Sequence, residues 1–227
     1  MRNYEVLSFD CYGTLIDWES GILNALRPVL ESHEVYVEEE GILELYAEIE
    51  SGLEKGSYQK YSEILKKAMG RLGEDLGFSP SPADRECLIH SLKDWPPFPD
   101  TVEALKALQQ KFPLALISNV DEDLLAPSLD RLEVSFDWIV TAEAVQAYKP
   151  SLLPFQEAFE KIGKPAEKIL HAAQSLYHDI LPARELGMGT VWVNRRKGRR
   201  GSGATPRAAA TPDFEVPDLK GLVSLLM

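Results

Sequence analysis

The chain has 227 residues, a length that allows one large domain or a domain that carries an insertion. Of these residues 44% are hydrophobic and 26% charged, a composition typical of a globular protein. Its formal net charge of −12 argues against a nucleic-acid partner, and its two cysteines, Cys11 and Cys87, are too few for a disulfide framework. No apolar run long enough to span a bilayer and no signal peptide is visible, so we expect a cytoplasmic protein that does not contact membranes.

The predicted elements begin with a strand over residues 5–10, an apolar run that ends in the carboxylate of Asp10. Over residues 18–93 apolar side chains recur at helical spacing, and strand-like alternation is missing. The proline-rich run at residues 95–99 ends that pattern. We therefore predict a helical insertion between the first strand and the rest of the chain.

After the insertion, helices and strands alternate. Residues 213–226 contain a last strand and helix, which we expect to close one edge of the sheet. Alternation of this kind is typical of an α/β fold, here a Rossmann-like parallel sheet covered by helices on both faces. The other predicted strands lie at residues 113–119, 138–141, 169–173 and 190–193, and the predicted helices at residues 101–111, 124–132, 154–162 and 180–186.

Asp10 is the most informative residue for function. It ends the predicted central strand, and Gly13 and Thr14 turn the chain immediately afterwards. Open α/β sheets bind their ligands at the carboxyl ends of the strands, and a carboxylate there can act as a nucleophile. The alternative is a buried carboxylate that only caps the turn.

Residues 10–15 (Asp-Cys-Tyr-Gly-Thr-Leu) resemble the first motif of the haloacid dehalogenase superfamily. Most members are phosphatases with the pattern Asp-x-Asp, in which the second Asp protonates the departing alcohol. Tyr12 in that place is similar to the 2-haloacid dehalogenase branch, whose halide leaves without a proton. The resemblance covers nearly the whole chain and implies an α/β core of residues 1–16 and 96–227 with a helical cap of residues 17–95.

Two further motifs fit this resemblance. Ser118 ends the second predicted strand and resembles the second motif, and the branch uses the following Asn, here Asn119, to hold the departing halide. Lys149, in the run Tyr-Lys-Pro, resembles the third motif. A Lys aimed at Asp10 is expected to keep that carboxylate ionised and lower its pKa, or to pair with the substrate carboxylate. The alternatives are a helix N-cap at Ser118 and an ordinary surface lysine.

The fourth motif, at residues 172–179, departs most from the phosphatases. Gln174 stands where they carry a carboxylate that holds magnesium, and a neutral amide is a poor ligand for a hard cation. The dehalogenase branch is metal-independent, so the resemblance implies neither a metal nor another cofactor. Ser175 and Asp179 match that branch, whereas Leu176 replaces the Asn expected after the Ser.

The halide site also departs from the family. Family dehalogenases place an Arg on a cap helix, but residues 38–53 contain no Arg and six Glu. We expect Asn119, Tyr12 or a polarised water to stabilise the leaving group instead. The Tyr that the family carries shortly after the Lys-Pro pair is Phe155 here, and these changes put the usual substrate range in doubt.

His178 and Glu19 suggest a compensation. His178 lies beside Asp179, and Glu19 follows Asp10 by nine residues, so a His–Glu pair is a hypothesis for activating the water that hydrolyses an Asp10 ester. The alternative for His178 is a solvent-facing side chain beside an N-capping Asp. Four aromatic side chains near the predicted strand ends are expected to form a dry pocket, unless they belong to the core. They are Tyr12, Trp18, Trp95 and Tyr177.

Residues 195–211 are rich in Gly, Ala, Arg and Lys. This composition predicts a mobile surface loop. The alternative is a flap that attracts anionic substrates, because the segment carries six basic residues in an acidic chain.

Together these patterns predict hydrolytic dehalogenation of short 2-haloacids, such as haloacetates and L-2-halopropionates, through an ester of Asp10. A phosphatase or phosphonatase-like hydrolase and a non-catalytic binding relative are the alternatives. The only partner expected is the small substrate, and a homodimer stays open. The predicted catalytic residues are Asp10, Thr14, Glu19, Ser118, Lys149, His178 and Asp179, and the predicted substrate- or halide-binding residues are Tyr12, Trp18, Asn119, Ser175 and Tyr177.

Overall fold

The computed structural model describes residues 3–227, and within them the chain builds one sheet. Its six strands are β1 (Val6–Phe9), β2 (Leu114–Ser118), β3 (Trp138–Thr141), β4 (Ile169–Ala173), β5 (Gly189–Val193) and β6 (Phe214–Val216). Their order across the sheet is β3-β2-β1-β4-β5-β6, and all neighbouring strands are parallel. The predicted parallel α/β fold is therefore confirmed.

As predicted, the chain between β1 and β2 first forms a series of helices, from residue 18 to residue 92. Where the chain leaves the sheet and returns to it, Ile16 and Pro97 form an antiparallel bridge. Asp17 caps the first helix by accepting the backbone N–H of Ser20. The division of the chain into a core and a cap domain stays a prediction. The helices of this insertion are α1 (Trp18–Ser32), α2 (Glu39–Leu53), α3 (Tyr61–Leu76), α4 (Pro82–Arg85) and α5 (Cys87–Leu92).

The remaining helices cover the sheet. They are α6 (Thr101–Leu108), α7 (Glu122–Leu132), α8 (Ala142–Val145), α9 (Leu153–Ile162), α10 (Leu181–Glu185) and α11 (Leu219–Leu226), with a π-helical turn at Leu176–Ile180 before α10. Within residues 3–227, no helix has both the length and the apolar character needed to cross a membrane.

The central strand β1 is buried on both faces, which explains its continuous apolar sequence. Leu7 and Phe9 point into the larger of two hydrophobic cores, which also contains residues of the helical insertion such as Tyr46. Val6 points to the other side and joins a smaller core with Phe155 of α9. The alternation along β1 follows from the two-residue period of a strand.

The basic segment 195–211, named the strap below, is not the loosely attached loop that its composition predicts. Arg196 forms ion pairs with Glu19 of α1 and Glu40 of α2. Ala204 is fully buried. The basic strap therefore contacts acidic side chains of the helical insertion, a pairing between distant parts of the chain that local composition does not reveal.

Candidate active site

Asp10 directly follows β1, at the carboxyl end of the central strand, and its side chain is buried. Thr14 Oγ1 donates a hydrogen bond to Asp10 Oδ2 at 2.6 Å. The turn between them requires Gly13, whose φ is +90° and at which a Cβ would lie 2.8 Å from Trp18 Nε1. The sheet therefore presents the carboxylate at the edge where this architecture binds its ligands.

Lys149 joins Asp10 to Asp179. Its Nζ donates to Asp10 Oδ1 at 2.8 Å, to Asp179 Oδ1 at 2.6 Å and to the carbonyl oxygen of Ile117 at 2.9 Å. All three ammonium protons are therefore used. The Lys149 side chain is 1% exposed, so the alternative of an ordinary surface lysine is wrong.

Asp10, Lys149 and Asp179, named the Lys149 triad below, shift one another's pKa values. Burial raises the pKa of Asp10; Lys149 opposes that shift, Asp179 adds to it, and the net change is upward. Burial also acts to raise the pKa of Asp179, but Lys149 and His171 outweigh it and the pKa falls. Burial acts to lower the pKa of Lys149, yet the two carboxylates raise it. Lys149 lowers the pKa of Asp10, as expected, but burial and the second carboxylate, Asp179, outweigh this effect.

Sequence reasoning missed His171, which supports the triad from β4. Its Nε2 lies 3.1 Å from Asp179 Oδ1, and its Nδ1 lies 2.9 Å from Ser8 Oγ. If the Ser8 hydroxyl donates to Nδ1, then Nε2–H donates to Asp179. The available signal was a polar residue inside each of two apolar strands, and Ser8 and His171 are indeed register partners.

Ser118 ends β2 and Asn119 follows it, so both reach the same sheet edge as Asp10. Asn119 Nδ2 donates to the carbonyl oxygen of Lys149 at 3.0 Å, and its Oδ1 accepts the backbone N–H of Lys149 at 2.8 Å. Ser118 Oγ is buried and has no hydrogen-bond partner within residues 3–227. The N-cap position of α7 belongs to Asp121, so the alternative of an N-cap at Ser118 is wrong.

Ser175 and His178 lie on the turn after β4. Ser175 Oγ accepts the backbone N–H of His178 at 2.9 Å and lies 3.2 Å from His178 Nδ1. If the serine hydroxyl donates to Nδ1, the proton of a neutral imidazole lies on Nε2. Burial lowers the pKa of His178 to about 4, so the ring is neutral at pH 7. His178 is thus a buried neutral group and not a solvent-facing one.

The predicted pair of His178 and Glu19 is wrong. The Glu19 carboxylate accepts from Arg196 Nη1 at 2.5 Å and from the backbone N–H of Ala204 at 3.1 Å. The acidic neighbour of His178 is Glu54, whose Oε2 lies 3.8 Å from His178 Nε2. Both partners of Glu19 belong to the strap, which lies far away in the sequence.

Two carboxylates, Glu50 of α2 and the C-cap residue Glu54, form the opposite wall of the site, a role that sequence reasoning missed. Glu50 Oε1 accepts the hydroxyl groups of Tyr61 at 2.6 Å and of Tyr46 at 3.0 Å. Glu54 accepts from Asn119 Nδ2, which lies 3.4 and 3.5 Å from its two oxygens. The four-residue spacing of Tyr46, Glu50 and Glu54 was the available signal, because it places them on one helix face.

Neither carboxylate of this wall forms an ion pair with a Lys or Arg in the part of the chain that the structure describes. Burial raises the pKa of Glu50 to about 7, although the hydroxyl groups of Tyr61 and Tyr46 oppose the shift. Burial raises the pKa of Glu54 well above its ordinary value; Glu50 adds to the shift, and Lys149 opposes it. Both side chains therefore retain protons to a higher pH than an exposed Glu.

A small cavity with a volume of about 30 Å³ lies above Asp10, between the two walls. Such a space has room for about two water molecules. Trp18 of α1 and Thr205 of the strap also line this cavity. The cavity suits a ligand of few heavy atoms.

The four predicted pocket aromatics divide into three groups. Tyr12 and Trp18 line the cavity, and the Tyr12 hydroxyl lies 3.0 Å from Ser128 Oγ. Trp95 is buried in the core and packs edge-on against Tyr12. Tyr177 does not line the cavity; it packs edge-on against His178 and lines a neighbouring outer groove. Its predicted substrate-binding role is therefore not supported by its position.

The donors near Gln174 do not fit a magnesium ion. Its side-chain oxygen accepts from Thr205 Oγ1 at 3.2 Å, and its backbone N–H donates to Thr14 Oγ1 at 2.9 Å. Within residues 3–227, no group of three or more His, Cys, Asp or Glu side chains is arranged to hold a metal ion. The amide thus contacts the strap, and its neutral oxygen is a weak donor for a hard cation.

Comparison with known proteins agrees with this geometry. A model of the haloacid dehalogenase-like hydrolase family matches residues 4–187. The chain is 25% identical over 232 residues to haloacetate dehalogenase H-2 of Moraxella sp. (strain B), covering 100% of this chain and 99% of that protein. It is 27% identical over 207 residues to (S)-2-haloacid dehalogenase of Pseudomonas fluorescens, covering 87% and 88%. The L-2-haloacid dehalogenase from Xanthobacter autotrophicus shares the fold, with a TM-score of 0.81, 21% identity and 98% of both chains covered. The chain belongs to the haloacid dehalogenase-like hydrolases.

Proposed function

We propose that the protein hydrolyses the carbon–halogen bond of short 2-haloacids and releases a 2-hydroxyacid and a halide ion. The observation that carries this proposal is the buried Asp10 carboxylate, held by Thr14 and Lys149, with Tyr12 in the place of a second carboxylate. The relatives of 25% and 27% identity, a haloacetate dehalogenase and an (S)-2-haloacid dehalogenase, support the same reaction.

In the first step Asp10 attacks the carbon that bears the halogen. A carbon–oxygen ester bond forms, and the halide leaves with the electron pair of the broken bond. Thr14 and Lys149 each occupy one carboxylate oxygen, which fixes the nucleophile and leaves lone pairs for the attack. Ser118 Oγ, which has no partner within residues 3–227, donates to the substrate carboxylate. Because only one displacement occurs at that carbon, its configuration inverts.

In the second step water attacks the carbonyl carbon of the Asp10 ester. Asp179 Oδ1 already accepts from Lys149 and His171, whereas Oδ2 is buried without a partner in the described residues and accepts the proton of the water. The hydroxyacid leaves as an alkoxide and takes up that proton from Asp179. The second proton of the water is released from Asp10 to the solvent, which regenerates the Asp10 carboxylate.

The size of the cavity favours the smallest substrates. A two- or three-carbon acid, such as a haloacetate or a 2-halopropionate, needs the smallest displacement of the lining side chains to enter a space of about two water molecules. Longer 2-haloacids require movement of the helical wall or of the strap, because both line the cavity.

Halide and phosphate release from a small set of substrates test the proposal. The set contains fluoroacetate, chloroacetate, both enantiomers of 2-chloropropionate and p-nitrophenyl phosphate, each with and without EDTA. We expect halide release that persists in EDTA and falls on the order of 10⁶-fold in Asp10→Asn. The matched control is Asp75→Asn, which changes an exposed carboxylate. Magnesium-dependent phosphate release without halide release would contradict the proposal.

A further inference from the structure

Glu54 lines the cavity above Asp10, next to Asn119. Its side chain is 6% exposed and contacts Asn119, the residue to which the sequence assigns halide binding. An ionised carboxylate at this position repels both a departing halide and the carboxylate of the substrate. A buried acidic residue at this position therefore requires an explanation.

Burial favours the protonated form of Glu54 more than its neutral hydrogen-bond donors favour the carboxylate. Asn119 Nδ2 donates to its oxygens at 3.4 and 3.5 Å, and His178 Nε2 lies 3.8 Å from Oε2. When the Ser175 hydroxyl donates to Nδ1, the proton of His178 lies on Nε2 and both neighbours present N–H groups to the lone pairs of Glu54. In this tautomer the hydroxyl hydrogen of a protonated Glu54 has no acceptor on Asn119 Nδ2 or His178 Nε2 and is left for the cavity.

The charged and titratable groups around Glu54 do not supply a counter-charge. The titratable groups near Glu54 are Tyr46 and Glu50 of α2, Lys55, Tyr58, Tyr148, Lys149, Tyr177 and His178. The three protons of Lys149 are donated to Asp10, Asp179 and the Ile117 carbonyl, and the exposed Lys55 forms no ion pair with Glu54 among the described residues. His178 is neutral, and Glu50 adds negative charge when it ionises.

We propose that Glu54, as a neutral carboxylic acid, donates a hydrogen bond to the departing halide and makes the site selective for fluoride over chloride. This inference rests on the proposed function. Glu54 then takes the place of the cap arginine of the family, which is absent from residues 38–53. The carbon–fluorine bond breaks with its electron pair on fluoride, the carbon–oxygen bond to Asp10 forms, and Glu54 keeps its proton.

Selectivity for fluoride follows from ion size. Fluoride concentrates its charge in a small volume and gains more from one short O–H donor than the larger, more diffuse chloride ion does. The small cavity adds to this preference, because about 30 Å³ leaves little room for a larger leaving group.

The proposal predicts a pH dependence with a definite sign. Burial raises the pKa of Glu54 well above its ordinary value, so the donor persists to a higher pH than at an exposed Glu. As the pH rises through that pKa, the donor is lost and a negative charge appears, so kcat/KM for fluoroacetate falls on the alkaline side. Glu54→Gln carries an amide donor at every pH, and its profile loses this decline.

The test measures fluoride and chloride release from fluoroacetate and chloroacetate between about pH 5 and pH 9 for the wild-type protein and three variants. We expect Glu54→Ala to lower kcat/KM for fluoroacetate about 100-fold and for chloroacetate less than about 10-fold. Glu54→Gln retains fluoride release within about 10-fold and flattens the alkaline side. Glu48→Gln, an exposed residue of α2, leaves both rates and the profile unchanged.

Chloride release by the same samples reports whether each variant is folded and active. Equal losses of fluoride and chloride release in Glu54→Ala, or a wild-type pH profile in Glu54→Gln, would overturn the inference while the proposed function stands. A wild-type protein that releases neither halide would overturn the proposed function and the inference together.

Discussion

Buried carboxylates on the two walls of the cavity are neutralised in different ways. On the sheet side, Asp10 and Asp179 share the ammonium of Lys149 at 2.8 and 2.6 Å. On the helical side, Glu50 and Glu54 contact hydroxyl and amide donors, without an ion pair to Lys or Arg in the described residues. A cation favours the ionised form of a buried carboxylate, whereas burial with neutral donors leaves the protonated form favoured. One cavity can thus hold a nucleophile and a hydrogen-bond donor that are both carboxyl groups.

Removing the cation of the sheet wall is expected to give the largest effect. Lys149→Met leaves Asp10 and Asp179 buried without a counter-charge, which is expected to lower the free energy of unfolding by about 3–5 kcal/mol. Halide release is expected to fall by at least about 10²–10³-fold, because the nucleophile is no longer held. Urea denaturation and halide release at pH 7 measure the two effects.

The control for this variant is Lys161→Met. The Lys161 ammonium lies 3.7 Å from Glu157 on the protein surface. Loss of such an exposed pair is expected to change the free energy of unfolding by less than about 0.5 kcal/mol. Similar losses in the two variants would show that the Lys149 triad contributes no more than a surface ion pair.

The helical wall is expected to respond to pH instead. The pKa of Glu50 is about 7 in the folded protein, against 4.5 for an ordinary Glu. Between these values the unfolded chain releases a proton that the folded protein keeps, so the free energy of unfolding falls as the pH rises from about 4.5 to about 7. The full loss is about 3 kcal/mol.

Glu50→Gln removes this contribution, so its free energy of unfolding is expected to vary less with pH than that of the wild-type protein. Urea denaturation at several pH values between about 4.5 and 8 measures the difference. Glu48→Gln, in which an exposed Glu of the same helix is changed, is expected to retain the wild-type dependence. An identical pH dependence in both variants would mean that Glu50 is already ionised in the folded protein.

Substitutions in the strap are expected to change the free energy of unfolding less, and two of its arginines can be compared. Arg196 is 10% exposed and pairs with Glu19, whereas Arg207 is 75% exposed and pairs with Glu44. Arg196→Gln leaves Glu19 nearly buried without its cation and is expected to lower the free energy of unfolding by about 2 kcal/mol. Arg207→Gln is expected to cost less than about 0.5 kcal/mol.

Thermal or urea unfolding measures both arginine variants. Arg196→Gln is also expected to raise KM for haloacetates, since the strap lines the cavity through Thr205. Equal stability of the two variants would mean that the strap does not hold the helical insertion against the sheet.

The sheet wall of the site was predictable from sequence, because its residues follow apolar strands. Asp10, Ser118 and Asn119 come at or just after strand ends, and parallel strands bring their carboxyl ends to one edge. Lys149 was found through its resemblance to a family motif. Its lowering effect on the pKa of Asp10 was predicted, but the upward net shift was not, because that shift depends on burial and on the second carboxylate, Asp179.

The helical wall and the strap were not predictable for a different reason. The contacts of Glu54 with Asn119 and of Arg196 with Glu19 join residues 65 and 177 positions apart. Local periodicity and composition carry no information about such pairs. For this reason the sequence did not reveal that Glu54 is the carboxylate near His178, and a His178–Glu19 pair was predicted instead.

The central claim is that Asp10 forms a covalent ester that water then cleaves at the carbonyl carbon. A single turnover in oxygen-18 water, with enzyme in excess over a haloacetate, tests it directly by mass spectrometry of the product and of the peptide that contains Asp10. The account predicts heavy oxygen in the Asp10 carboxylate and an unlabelled hydroxyacid. Heavy oxygen in the hydroxyacid, with none in Asp10, would contradict it, because water would then have displaced the halide directly.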